Sequence, residues 1–336
     1  MIDASVTRLS VLDVVLGTTG GTAQESFNET LETARLAERL GYHRYWLAEH
    51  HGGSISLSSA TAVLIGAVAA ATTEIRVGSG GVMLPNHPAL RIAEDYGTLD
   101  NLYPGRIDLG LGRGVGGSDR VKTLLRGDRP DEPADFANQV AELAGYFGAS
   151  ADVQVDVAAG RRPPIWLLGS GLGGARLAAR RGLPFAYAHH IFPDNLEAAV
   201  QLYRAEFRPS DALAEPYVLV STGVLCADTD ADAARLRGPV REMLHQLGMR
   251  STPPLLTPEA AAAASHGRLP GQRATVEAAA ARYFVGSAPA VGVHLADLRD
   301  RSGADELMVQ AIAHDAVDRR RSLELLALAA GLGTRR

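Results

Sequence analysis

An α/β fold, and within that class a closed (β/α)8 barrel, is predicted by three features of this 336-residue chain. Short apolar runs alternate with amphipathic segments through short connections, an order that makes the strands parallel. About eight such units can be counted, which closes a barrel rather than opening a doubly wound sheet. Polar residues and glycines gather just beyond several of the runs, at the strand ends where barrels build active sites.

The first units are clean. LSVLDVVLG (9–17) reads as a strand, and AQESFNETLETARLAERLG (23–41) as an amphipathic helix stopped at Gly41. YHRYWLAEH (42–50) is the next strand, followed by a helix over Ser58–Thr73 with Ser58 or Ser59 placed to cap it. EIRVGSGGVML (74–84) is a strand, HPALRIAEDYGTLDNLYPG (87–105) a helix with its stop, and RIDLGLGRG (106–114) the fourth strand. After a looser stretch, DEPADFANQVAELAGYFG (131–148) is helical, RPPIWLLGSG (162–171) a strand and GGARLAARRG (173–182) a short helix. PFAYAHHIF (184–192), YVLVSTGVLCA (217–227) and ADELMVQ (304–310) supply the remaining strands. NLEAAVQLYRAEFRP (195–209), DADAARLRGPVREMLHQLG (230–248) and a final Arg- and Leu-containing segment supply helices. Residues from about Met249 to Ser287 do not fit one unit and are expected to form an excursion over the barrel mouth or a lid.

At 46% hydrophobic, the chain can bury a large core, enough for one barrel or two smaller domains. No repeat or low-complexity linker divides it, so a single domain over residues 1–336 is expected. A formal charge of −5 argues against a general nucleic-acid surface, and Lys122 is the only lysine. The single cysteine, Cys226, excludes an intramolecular disulfide and a thiolate metal cluster, and its apolar run makes it a small core residue. MIDASVTRLSV is not a signal peptide, and the alanine-rich runs are interrupted by polar groups, so no membrane span is read and the cytoplasm is the expected compartment. The Ser58–Thr73 segment is apolar on nearly every face, which fits either a subunit interface or burial under the chain's own loops.

The most informative stretch is RYWLAEHHGG (44–53), where an apolar run breaks into Glu49, His50 and His51. A carboxylate and two imidazoles at such a strand end need hydrogen bonds or a task, unless the loop is simply solvated. Two glycine clusters match GxGxxG: GRGVGG (112–117) and GSGLGG (169–174). The second follows a strand and opens a helix, as a phosphate cradle does, but a tight turn without ligand would look the same. A nicotinamide site is disfavoured, because the next strand ends in His189 and His190 rather than a ribose-binding acid, and Asp194 begins a helix. Arg113 ends the fourth strand and can face the same phosphate as Ser170 to Gly174, while Arg106 sits at the opposite, structural end. Gly78, Gly80 and Gly81 admit a flat ligand against the backbone or a packing bulge at Gly80. His50, His51, His189 and His190, with Glu49 or Asp194, lack the usual spacing of a metal set, and no metal is expected.

Taken together, LAERLGYHRYWLAEHH, IRVGSGGVMLPNHPALRIAED, TLDNLYPGRIDLGLGRG, PPIWLLGSG and SGADELMVQ resemble the bacterial luciferase-like flavin monooxygenase family, in order from about residue 10 to residue 311. The chain is most similar to its small single-chain subgroup, named after a monooxygenase of an antibiotic pathway. The resemblance implies a luciferase-like (β/α)8 barrel that uses reduced FMN, supplied by a separate NAD(P)H:flavin reductase, and O2, by way of a flavin C4a-hydroperoxide. The deazaflavin F420 is the alternative cofactor, and a non-enzymatic flavin-binding protein is the alternative role. It implies that the catalytic histidine is His50, with Glu49 orienting it or pairing with an arginine. It further implies that Arg113 and the turn at Gly169, Ser170 and Gly171 hold the phosphate, and that a cis peptide falls on Gly80–Gly81. His190 completes the candidate cofactor-binding set. The reactive cysteine of true luciferase falls on Gly112, which weakens any expectation of light. A small organic substrate and a homodimer are also expected.

Overall fold

The computed structural model describes residues 8–127, 133–148, 152–266 and 268–333. Residues 1–7 of the N-terminal segment and 131–132 of a predicted helix lie outside these. The strands are β1 (Arg8–Asp13), β2 (Arg44–Leu47), β3 (Arg76–Ser79), β4 (Val82–Met83), β5 (Ile107–Gly112), β6 (Ile165–Gly169), β7 (Phe185–Ala188), β8 (Val218–Ala227), β9 (Tyr283–Ser287) and β10 (Glu306–Gln310). The helices are α1 (Ala23–Arg39), α2 (Thr61–Ala71), α3 (Ala89–Leu102), α4 (Asp119–Arg126), α5 (Pro133–Phe147), α6 (Leu172–Arg181), α7 (Leu196–Glu206), α8 (Asp230–Gly248), α9 (Pro258–His266), α10 (Pro270–Ala280), α11 (Ala288–Ser302) and α12 (Ala316–Ala329).

All pairings between these strands are parallel. The sheet runs β10-β1-β2-β3-β5-β6-β7-β8, and the β10–β8 pairing closes it. This is the predicted (β/α)8 barrel, with the strands buried on both faces as parallel strands must be. Gly41, at φ +81, ends the turn after α1 where the sequence placed the stop.

Two local expectations change. Neither Ser58 nor Ser59 caps α2: Ala60 is the N-cap and makes no side-chain cap bond. Ser58 is buried and bonds to Ser56 instead. The 249–287 excursion is only partly a cover. Its 252–255 stretch crosses the mouth loops, through Ser54 N–H to Thr252 O at 3.0 Å and Thr19 N–H to Leu255 O at 2.9 Å. The rest forms α9 and α10 against α8, then β9, which pairs with the outer half of the ten-residue β8.

The interior of the barrel is charged at its N-terminal end. Arg44 donates to Asp108 at 2.7 Å and to Glu306 at 3.0 Å. Arg76 reaches Asp108 at 2.6 Å, Trp46 Nε1 donates to Asp108 at 3.0 Å, and Tyr217 donates to Glu306 at 2.9 Å. The Trp166 ring lies under the Arg44 guanidinium at 4.7 Å. Two arginines thus balance two carboxylates, the condition under which buried charge is tolerated. Gly78 makes room for this layer: a Cβ there would stand 2.7 Å from Asp108 Cβ and 2.9 Å from Trp46 Nε1. Arg106 is structural as expected, donating to the Ala69, Thr72 and Ile75 carbonyls. Among the described residues no helix is long and apolar enough to cross a membrane.

Candidate active site

Above the charged layer the barrel opens into a cavity of about 900 Å³. Its floor and walls come from alternate strand positions: Leu12, Trp46, Leu168, Ala186, Leu219 and Met308. All seven residues of the predicted cofactor set (Gly80, Gly81, Arg113, Gly169, Ser170, Gly171 and His190) line it. The Gly80–Gly81 peptide is cis, as the resemblance implied, and it separates β3 from β4. A Cβ on Gly80 would lie 2.6 Å from Leu12, and one on Gly81 2.7 Å from the Gly110 carbonyl. Only glycines fit at this edge of the cavity.

The second glycine cluster has the form of an anion cradle. Gly171 is the N-cap of α6 and offers no side-chain cap, so the first amides of the helix remain without a partner side chain. A Cβ on Gly171 or Gly173 would meet nothing within 4 Å, so open space lies above this turn. Arg113 faces the same cavity, exposed, and its guanidinium has no hydrogen-bond or carboxylate partner among the described residues. The first cluster works differently. The Gly116 carbonyl accepts from His51 N–H, and a Cβ on Gly117 would meet the His51 carbonyl at 2.7 Å, so this loop packs against the loop after β2.

The four histidines considered as a metal set do not converge. His51 Nε2 lies 2.9 Å from Glu49 Oε1. His189 is buried, with Nδ1 3.4 Å from Thr222 Oγ1 and Nε2 accepting from Arg301 at 3.2 Å. Burial, with Arg301 beside it, brings the His189 pKa down to about 4. His190 Nδ1 donates to the Ser221 carbonyl at 3.2 Å, and burial lowers its pKa to about 4 as well. Both rings are therefore neutral at neutral pH.

Glu49 is bonded neither to His50 nor to an arginine. Its Oε1 accepts from His51 and from His87, each at 2.9 Å, and its Oε2 from Met83 N–H at 3.2 Å. Burial alone would raise its pKa, but the two imidazole bonds outweigh that and bring it down to about 2. His87 is not grouped with Glu49 by any sequence pattern; it lies just beyond β4, and the Glu49 bonds to Met83 N–H and His87 bring the 83–87 segment to the end of β2. Glu49, His51 and His87 are also close enough to share a cation, yet the carboxylate is already satisfied by their hydrogen bonds.

His50 stands apart from that cluster. It is an exposed residue and is not among those that line the cavity, while desolvation by the protein around its ring lowers its pKa. Its charge is felt by His190 on the cavity wall. The neutral ring is thus the prevailing form at neutral pH, which suits it to accept a proton.

The family model for luciferase-like monooxygenases matches residues 7–306 of the chain. A luciferase-like monooxygenase of Escherichia coli strain K12 is 42% identical over 328 residues, covering 97% of each chain. The crystal structure of apo-MsnO8 superposes with a TM-score of 0.91 at 37% identity, over 98% of this chain and 100% of that one. Two solved structures at lower identity share the fold. One is the oxygenating constituent of 3,6-diketocamphane monooxygenase of Pseudomonas putida in complex with FMN, with a TM-score of 0.73, 21% identity and coverage of 96% and 97%. The other is an F420-dependent secondary alcohol dehydrogenase, with a TM-score of 0.70, 14% identity and coverage of 97% and 99%. With a barrel closed as that family requires and a family match across nearly its whole length, this chain belongs to the luciferase-like monooxygenases.

Proposed function

We propose that the chain is an FMN-dependent monooxygenase that oxidises a small organic substrate with O2. The observation that carries this reading is the pairing of a partnerless guanidinium, Arg113, with the uncapped N-terminus of α6 across one cavity. A dianionic phosphate answers both: the guanidinium gives two parallel bonds, and the helix amides and dipole favour negative charge. The cavity volume of about 900 Å³ suits a flavin mononucleotide with a small substrate beside it. Glycine at positions 80 and 81 lets a flat ring lie against the backbone.

Reduced FMN, when bound, would supply the electrons that activate O2. The protein's part is to anchor the phosphate through Arg113 and the Ser170–Gly174 turn, and to keep water from the reacting end with the apolar wall of Leu12, Leu168, Leu219 and Met308. His50 accepts a proton at the mouth, and His190 offers a second neutral nitrogen on the wall. Glu49 acts at one remove, tying the loop that carries His50 to the 83–87 segment. A separate NAD(P)H:flavin reductase is proposed to deliver the reduced flavin, as the resemblance to the family implies. A homodimer is proposed through α2, whose outward face carries Val63, Ala67 and Ala70.

The test is an anaerobic titration with reduced FMN and reduced F420, followed by admission of 18O2 with a panel of small apolar substrates. Tighter binding of reduced FMN and label in a product support the reading. Preference for F420 with hydride transfer and no label replaces it with an F420-dependent oxidoreductase. Binding without label in any product, and with peroxide as the sole fate of oxygen, leaves a flavin-binding protein.

A further inference from the structure

One peptide unit at the end of β1 is pinned from both sides. Val15 has φ +52, a left-handed conformation that a β-branched residue rarely adopts. Its N–H donates to Asp13 Oδ1 at 2.8 Å, and the carbonyl of the same unit, Val14 O, accepts from Ser56 Oγ at 2.6 Å. Ser56 is itself fixed by the chain: residues 55–57 run against residues 15–17, through Gly17 N–H to Ile55 O at 3.0 Å and Leu57 N–H to Val15 O at 2.9 Å. Ser56 is buried, and its Oγ also lies 3.2 Å from His50 Nδ1 and 3.0 Å from Ser58 Oγ.

A hydroxyl has one proton to give. A carbonyl oxygen can only accept, so the proton of Ser56 goes to Val14 O, the shortest of the three contacts. Its oxygen must then receive from its other neighbours. The bond to His50 is therefore Nδ1–H donating to Ser56 Oγ, with Ser58 O–H as the second donor. The His50 backbone is held in the same place, its N–H donating to the Ser58 carbonyl at 3.2 Å. What is left is Nε2, with a lone pair, on an exposed residue and without a hydrogen-bond partner among the described residues.

We propose that Ser56 is a positioning residue that holds neutral His50 in the Nδ1–H tautomer, so that Nε2 is the atom that accepts the proton in the reaction. The catalytic half of this rests on the monooxygenase reading above; the tautomer half does not. His190 repeats the arrangement on the facing wall: Ser221 Oγ donates to the Tyr187 carbonyl, and His190 Nδ1 to the Ser221 carbonyl.

The decisive measurement is the ring 15N spectrum of the cofactor-free protein labelled at histidine, with His50 assigned by its loss in His50→Gln. The expected signature is a protonated Nδ1 and an unprotonated Nε2. Ser56→Ala should shift the tautomer ratio toward Nε2–H by about fivefold to tenfold, the worth of one hydrogen bond, and Ser56→Thr should restore it. An Nε2–H signal in the wild type, or an unaltered ratio in Ser56→Ala, overturns the proposal. Turnover is then measured on the same variants. A fall in Ser56→Ala that Ser56→Thr reverses, with FMN affinity unchanged, supports the catalytic half. A shifted tautomer with unchanged turnover overturns proton transfer at His50 and leaves the tautomer assignment standing.

Discussion

Glu49 Oε1 stands 2.9 Å from His87 Nε2, and that bond ties the end of β2 to the segment beyond the cis Gly80–Gly81 peptide. Together with His51 it makes the carboxylate the centre of the mouth's scaffold rather than a partner of His50. The candidate catalytic and cofactor-binding residues thus hang on a frame whose carboxylate, Glu49, is held far below its ordinary pKa.

Stability at low pH follows from that frame. The folded pKa of Glu49, about 2, is depressed from 4.5. Its contribution is therefore fully present above 4.5 and is lost as pH falls toward 2. Over that window the wild type should lose on the order of 2–3 kcal/mol more than Glu49→Gln. Urea unfolding at a series of pH values checks this; parallel curves for the two proteins would contradict it.

Phosphate recognition is testable through the ligand as well as the protein. Arg113→Ala should weaken FMN binding by about 1.5–3 kcal/mol, the value of a charged hydrogen bond. Riboflavin, which has no phosphate, should bind nearly as before. Equal losses for both ligands would remove Arg113 from the anchor.

His50→Ala is expected to lower product formation by about 10²–10⁴-fold, the usual worth of a positioned proton acceptor. FMN affinity should hold, because the anchor lies on β5 and β6. The melting temperature should change little, because His50 is an exposed residue outside the hydrophobic core. Unchanged turnover with a lowered melting temperature would assign His50 to the fold.

The outward face of α2 gives the fourth prediction. Val63 is 72% exposed, and Ala67 and Ala70 lie beside it on a helix with no charged residue. Ala67→Glu should shift a homodimer toward monomer, because pairing would bury an unpaired carboxylate. Light scattering at micromolar concentration reads the outcome, and a monomeric wild type would end the proposal.

Most of the barrel is legible in the chain because parallel strands and their helices carry two different periods, and turns such as Gly41 mark the boundaries. β9 and α11 were harder to read. Tyr283–Ser287 looks like part of a loop excursion because its partner is the overhanging half of β8, a pairing no local pattern announces. The candidate cofactor set was visible as glycines, a serine, an arginine and a histidine at strand ends, and every member lines the cavity. The Glu49–His51–His87 grouping and the role of Ser56 were not visible. They depend on contacts between residues far apart in the chain, and the positive φ of Val15 falls on a residue that reads in sequence as an ordinary strand residue.

The charged layer at the N-terminal end has a consequence for traffic. Arg44, Asp108 and Glu306 are buried together across the bore, with the Trp166 ring against Arg44 and edge to face with Trp46 at 5.2 Å. The barrel is thus a blind well, entered and left by its loop end. Whatever sits deepest must arrive first and depart last, so a ligand lodged at the mouth detains the one beneath it. Under the proposed function, exchange of a spent cofactor waits on release of product at that loop end, where residues 17–19, 53–54 and 252–255 are joined by backbone hydrogen bonds.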